Sequence, residues 1–158
     1  MSSTRLEKKE YPAVGESVYQ TTLQNGLKLY LIPKDDFNET YAMISTKFGS
    51  VDTCFTIGPS KDKKEYPAGI AHFLEHKLFE DKDGKDYLQH FVRLGSESNA
   101  FTSFTQTSYL FSTTSNVSEN LRLLLEMIQT LHLSEGSLEK ERLIIQQEIE
   151  MYQDNPDY

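Results

Sequence analysis

The residues most able to do chemistry lie together at His72-Phe73-Leu74-Glu75-His76. On a helix each residue advances about 100°, so His76 sits about 40° from His72 and Glu75 about 60° to the other side. All three side chains then share one face. Two imidazoles one turn apart can grip a single Zn²⁺ ion. The acid between them can reach a water on the same metal and accept its proton. The order is the reverse of the commoner H-E-x-x-H zinc helix. The bland alternative is a wet amphipathic helix whose apolar side is Phe73 and Leu74.

A catalytic zinc site needs a third protein ligand and an open position for water. Candidates stand in Glu141-Arg142-Leu143-Ile144-Ile145-Gln146-Gln147-Glu148. Glu141 and Glu148 are seven residues apart and align on one face of a helix. Ile144, Ile145 and Ile149 would give that helix its packing surface. Spacing alone does not choose Glu148 over Glu141 or Glu150, and a solvated charged helix is the ordinary reading of such acid density.

The elements that must hold these residues read as follows. Residues 1–17 form a polar lead-in. Val18–Leu23 and Leu27–Pro33 flank Asn25-Gly26, a tight-turn dipeptide, and predict a hairpin. Strands are expected at about Tyr41–Phe48 and Val51–Ile57, with Gly49-Ser50 either separating them or bulging one long strand. A helix is expected from near Pro67 through Lys77, and a second over about Lys85–Leu94, stopped by Gly95. Asn99–Ser112 is rich in Phe, Thr and Tyr and suits strands. A third helix would follow Asn116, capped by that side chain with Glu119 answering, and reach about Leu131. Ser134–Ser137 reads as a turn before a fourth helix at about Leu138–Gln153. Strands first and helices later indicate an α+β class, an antiparallel or mixed sheet with helices packed on one face. The ending at residues 154–158 has no look of a deliberate domain boundary and suggests a longer protein.

Composition narrows the function classes. The 158 residues suffice for one core, and the net charge of −8 argues against nucleic-acid binding and against docking on an anionic membrane. No apolar h-region stands at the start and no apolar run has the length of a membrane span. Cys54 is the single cysteine, so no internal disulfide forms; a cytoplasmic location is the simplest expectation, with Cys54 as a small buried hydrophobe. The sequons at Asn38 and Asn116 then read as coincidence.

Beyond single residues, the chain resembles the pitrilysin/insulinase family of zinc peptidases, which includes mitochondrial processing peptidase. The resemblance runs from Asn25-Gly26-Leu27 and Leu29 through Gly69-Ile70-Ala71-His72-Phe73-Leu74-Glu75-His76. It continues in Leu94-Gly95, Ser98-Asn99-Ala100-Phe101-Thr102, Thr107 and Tyr109, and closes with Glu141–Glu148. It looks most similar to short bacterial zinc-peptidase homologues. The resemblance implies a processing-peptidase-like metallohydrolase fold, with residues 18–158 as its zinc-binding N-terminal domain.

It also implies roles: His72, His76 and Glu148 as ligands of one Zn²⁺, Glu75 as general base, and Glu141 as a second catalytic acid that does not bind metal. Asn99, Ala100 and Phe101 match the strand along which the family lays its peptide. Glu141 could raise the basicity of Glu75 by like-charge repulsion. Phe101 and Phe104 are expected mainly in sheet packing, with a substrate side-chain pocket as the alternative. Family members are far longer and use two related halves, so the implied partners are a peptide or small protein substrate and a homologous subunit or C-terminal half. Two other readings stay open: a non-catalytic subunit that binds peptide or partner, and a zinc hydrolase acting on a non-peptide bond.

Overall fold

The computed structural model describes residues 5–153; the predicted ending at 154–158 and the first four residues of the lead-in lie outside them. The chain divides into two compact units, one up to Asn38 and one from Glu39.

The first unit is a three-stranded antiparallel sheet of Glu7–Tyr11 (β1), Glu16–Thr22 (β2) and Lys28–Leu31 (β3) in that order. The expected hairpin is present between β2 and β3, with Thr22 opposite Lys28. Gly26 takes φ 87°, and Asn25 Oδ1 accepts from the Leu27 N–H at 3.1 Å. That pairing of a left-handed glycine with an Asn side chain is what the dipeptide supplies. The expected lead-in over 1–17 is corrected: it contains β1 and the start of β2. Every residue of β1 is exposed, so the ladder to β2 holds it, and no apolar face marks it in the sequence.

The second unit is built on an antiparallel sheet ordered β4, β8, β7, from Thr40–Thr46 (β4), Ser96–Thr102 (β7) and Thr107–Thr113 (β8). Ala42 faces Phe111, and Tyr109 faces both Ile44 and Ala100, so these side chains share one side of the sheet. Ile70–Leu78 (α1), Tyr87–Arg93 (α2) and Val117–Gln129 (α3) cover that side. The core is Tyr87, Phe91, Tyr109, Phe111, Leu124 and Met127. The α+β expectation, with an antiparallel sheet and helices on one face, is met. No helix among the described residues is long and apolar enough to cross a membrane.

Between β4 and α1 the chain departs from expectation. The predicted strand at Val51–Ile57 shrinks to Cys54–Phe55 (β5), paired with Lys64–Glu65 (β6). Gly49 is buried where a Cβ would lie 2.5–2.6 Å from backbone atoms of Ser103, Phe104 and Gln106. This close approach lets Ser50 N and Val51 N bond the carbonyls of Ser103 and Phe104. The strand therefore stops to dock on the β7–β8 turn. Cys54 is exposed, contrary to expectation: in this two-residue strand it is Phe55 that turns in, against Phe48 and Tyr66.

Helix ends also differ. Asp86 caps α2 by accepting from Leu88 N, and Gly95 ends it at φ 76° as expected. Asn116 does not cap α3 with its side chain: it sits at φ 52° and its Nδ2 donates to the Leu94 carbonyl. The last helix, Glu135–Gln153 (α4), begins inside the predicted turn. Ser134 and Ser137 there bond reciprocally, each N–H to the other's Oγ at 3.2 Å. This is a capping box made of two serines, and it starts the helix despite Gly136.

Candidate metal centre

The first half of the centre is local. α1 opens after Gly69, which holds φ 85°, and turns Ala71, Glu75 and Lys77 inward. His72 and His76, one turn apart, present Nε2 atoms 3.1 Å from each other, with their rings edge to face. Glu75 is 8% exposed and accepts a hydrogen bond on Oε2 from Thr102 Oγ1 at 2.6 Å. Thr102 is the last residue of β7, so the helix and the sheet fix this carboxylate together.

The second half comes from α4. Glu148 Oε2 lies 3.8 Å from His72 Nε2 and 3.6 Å from His76 Nε2. A tetrahedral ion with bonds of about 2.0–2.1 Å holds its donor atoms about 3.3–3.4 Å apart. The observed edges of 3.1, 3.6 and 3.8 Å bracket that spacing. Two imidazoles and one carboxylate also make a donor set that suits zinc. Among the described residues, His72, His76 and Glu148 form the group whose donor atoms converge closely enough to hold a metal ion.

Glu141 is brought to the same place in a different posture. Its Oε1 accepts from His76 Nδ1 at 2.8 Å. That bond assigns the ring proton to Nδ1 and leaves the Nε2 lone pair aimed at the converging donors. Glu141 thus meets a candidate ligand ring, and no bond joins it to Glu75. Tyr109 lies near enough to Glu75 that burial, first, and the negative charge of Glu75, second, push its phenol well above the ordinary value of 10; it stays protonated.

The packing surface expected for α4 is corrected. Ile144 and Ile149 are exposed, and the inward stripe is Ser137, Leu138, Glu141, Ile145 and Glu148. The helix turns its acids to the site where apolar residues would ordinarily go. Asn99, Ala100 and Phe101 lie in β7, which pairs only with β8 among the described residues. Ala100 faces the core; Asn99 and Phe101 face the other way. Phe101 is 42% and Phe104 76% exposed, so the expectation of sheet packing fails for both. Period-two alternation from the core-facing Ala100 puts Phe101 outward and Thr102 inward. The same alternation was the signal that could have found Thr102, to which sequence reasoning gave no role of its own.

Residues 42–158 match the family profile described as Insulinase (Peptidase family M16). Over 149 residues the chain is 50% identical to an uncharacterised zinc protease of Bacillus subtilis, YmfH, covering 94% of this chain and 35% of that protein. Among solved structures it is similar to an M16-like peptidase from Alicyclobacillus acidocaldarius, with a TM-score of 0.83, 41% identity, and coverage of 94% and 34% of the two chains. A protease from Helicobacter pylori gives a TM-score of 0.69 and 28% identity, with 96% and 32% covered. The chain therefore spans about a third of the length of each of these proteins.

Proposed function

The chain belongs to the insulinase family of peptidases, M16, and from that premise we propose that it carries the zinc-binding and catalytic portion of a metallopeptidase that hydrolyses peptide bonds. The observation that carries this reading is the convergence of His72 Nε2, His76 Nε2 and Glu148 Oε2 within one metal's reach.

When bound, the zinc ion polarises a peptide carbonyl and lowers the pKa of a water to about 7. The residues of the chain supply the rest. His72, His76 and Glu148 hold the ion. Glu141 keeps the His76 ring in its ligating tautomer through Nδ1, which makes it a positioning residue. Thr102 Oγ1–H occupies Oε2 of Glu75 and leaves Oε1 to work. Glu75 takes a proton from the attacking water there and delivers it to the amide nitrogen as the C–N bond breaks. The peptide lies as an added strand along β7 by Asn99, Ala100 and Phe101, read through its main chain. Phe101 and Phe104 offer apolar contact to its side chains. A homologous subunit or the remainder of a longer protein completes the substrate chamber.

Zinc stoichiometry tests the reading directly. Wild type should bind one ion per chain, and His76→Ala and Glu148→Gln should each lose it. Glu75→Gln in the full-length enzyme should keep the metal and lose about 10²–10⁴-fold in turnover. Full zinc occupancy in Glu148→Gln would refute the ligand set.

A further inference from the structure

Lys77 follows the second histidine of the site, and its side chain is wholly buried. A lysine is almost never left fully buried, because the hydration lost exceeds what one ion pair returns. Its ammonium pairs with Glu80, one turn on, and donates to Ser137 Oγ at 3.1 Å. Ser137 is the third residue of α4 and half of the serine pair that opens that helix. A cation at this end of a helix also opposes the helix dipole. The dipole of α1, in whose last turn Lys77 stands, favours a cation there by only a fraction of what burial costs, and the electrostatics of α4 give no reason for a lysine.

The way α4 is attached supplies one. Its main packing partner is α1. None of its described side chains is buried, and none belongs to the core. Leu143, Ile144, Ile149 and Met151 are exposed. Leu138 and Ile145 turn inward but are only half-buried, so the apolar interlock that fixes how far along α1 this helix sits is thin. Polar ties are left to do so: Ser137 to Lys77 and Glu141 to His76, with Glu148 beside both imidazoles. Positions 137, 141 and 148 fall on one stripe of α4. A slip of one residue would move the helix about 1.5 Å and turn it about 100°, carrying both acids off the histidines.

We infer that Lys77 is a positioning residue for the metal centre: its buried ammonium, neutralised by Glu80, pins the first turn of α4 through Ser137 and sets the register at which Glu141 and Glu148 meet the histidine pair. The inference rests on the zinc-peptidase reading and adds to it what holds the third ligand in place.

The test separates stability from metal affinity in the full-length protein that carries this chain. Lys77→Met with Glu80→Gln replaces the buried pair by neutral groups of similar volume, which often leaves stability unchanged or raised. The metal-free double variant should melt no lower than wild type. Its zinc affinity, from competition with a chromophoric chelator, should fall about tenfold or more. The visible absorption of the Co²⁺-substituted protein should change as the carboxylate is misplaced. Ser137→Ala should weaken zinc similarly and Ser137→Thr, which keeps the hydroxyl, should restore it. Combining Ser137→Ala with the lysine variant should add only what the lost Ser134 N–H bond contributes, because both variants cut the Lys77 tie.

Wild-type zinc affinity in both the lysine variant and Ser137→Ala overturns the inference. If the lysine variant does not fold, Ser134→Ala decides, because it breaks the other half of the same cap and leaves the bond from Lys77 to Ser137 intact: zinc affinity near wild type there, against a loss in Ser137→Ala, supports the tie, and an equal loss in both refutes it. A wild-type protein that takes up no zinc defeats the metal reading itself, and with it any register for Lys77 to set.

Discussion

Removing the Glu141 carboxylate should weaken zinc binding without removing a ligand. Glu141 is 12% exposed at its side chain, and its Oε1 lies 2.8 Å from Nδ1 of a ring whose other nitrogen faces Glu148 at 3.6 Å. In Glu141→Ala the Nδ1–H of His76 loses its partner in a partly buried setting, at a cost of about 1–3 kcal/mol. The bond stabilises the ligating tautomer, so the same energy appears in metal affinity, about 5–150-fold. Glu141→Gln can keep an acceptor at the same place but loses the charge. Charge-assisted bonds are roughly twice as strong as neutral ones, so this variant should fall between wild type and Ala, at about fivefold. Dissociation constants from chelator competition at one pH above neutrality would rank the three proteins. If Glu141 worked by raising the basicity of Glu75, zinc affinity would be untouched and only the pH–rate profile would move. An Ala variant within about twofold of wild type for zinc would therefore refute the orienting role.

Two predictions concern the frame. Gly49→Ala puts a Cβ against three backbone atoms at 2.5–2.6 Å, so the docking of residues 49–51 on the β7–β8 turn must open; stability should drop by roughly 1–3 kcal/mol and the melting temperature by roughly 2–10 °C, and an unchanged melting curve would show that the turn yields freely. The backbone N–H of Lys85, then His90 and the Asp83 N–H, hold the Asp81 carboxyl below its ordinary value of 3.8. The unfolded chain therefore takes up that proton more readily; the stability from Asp81 is complete only from about pH 5 upward and is lost as pH falls through the ordinary value and then the lowered one. Thermal melts between pH 2 and 6 should show wild type converging on Asp81→Asn at the acid end, and a constant gap would exclude this group as the cause.

What was legible in the sequence was local. The β2–β3 hairpin, the stop at Gly95 and the helix bearing His72, Glu75 and His76 each depend on residues within a few positions of one another. The misreadings come from distant partners at Gly49 and Asn116, and from weak local signals at β1 and the start of α4. β1 has no apolar face because β2 holds it through the backbone. The strand expected at Val51–Ile57 ends early because Gly49 lets the chain touch residues 103–106. Asn116 leaves the cap of α3 to reach Leu94. The start of α4 was hidden by Gly136, a poor helix former, while the two serines that cap it look like turn residues in a linear reading.

The choice among the acids of α4 shows the same limit at the site. Period and spacing leave Glu141, Glu148 and Glu150 equivalent candidates. Geometry divides them: Glu141 takes Nδ1 of His76, Glu148 lies by both Nε2 atoms, and Glu150 is exposed and accepts from Gln146. One imidazole is thus approached at both of its nitrogens by acids from a single helix, seven residues and about 10.5 Å of rise apart. Such an arrangement demands an unbroken helix between the two acids, because a kink would withdraw one of them. Residues 141–148 contain no glycine and no proline. The continuity of that stretch, together with the acid at its end, is the sequence property on which a third ligand at position 148 depends.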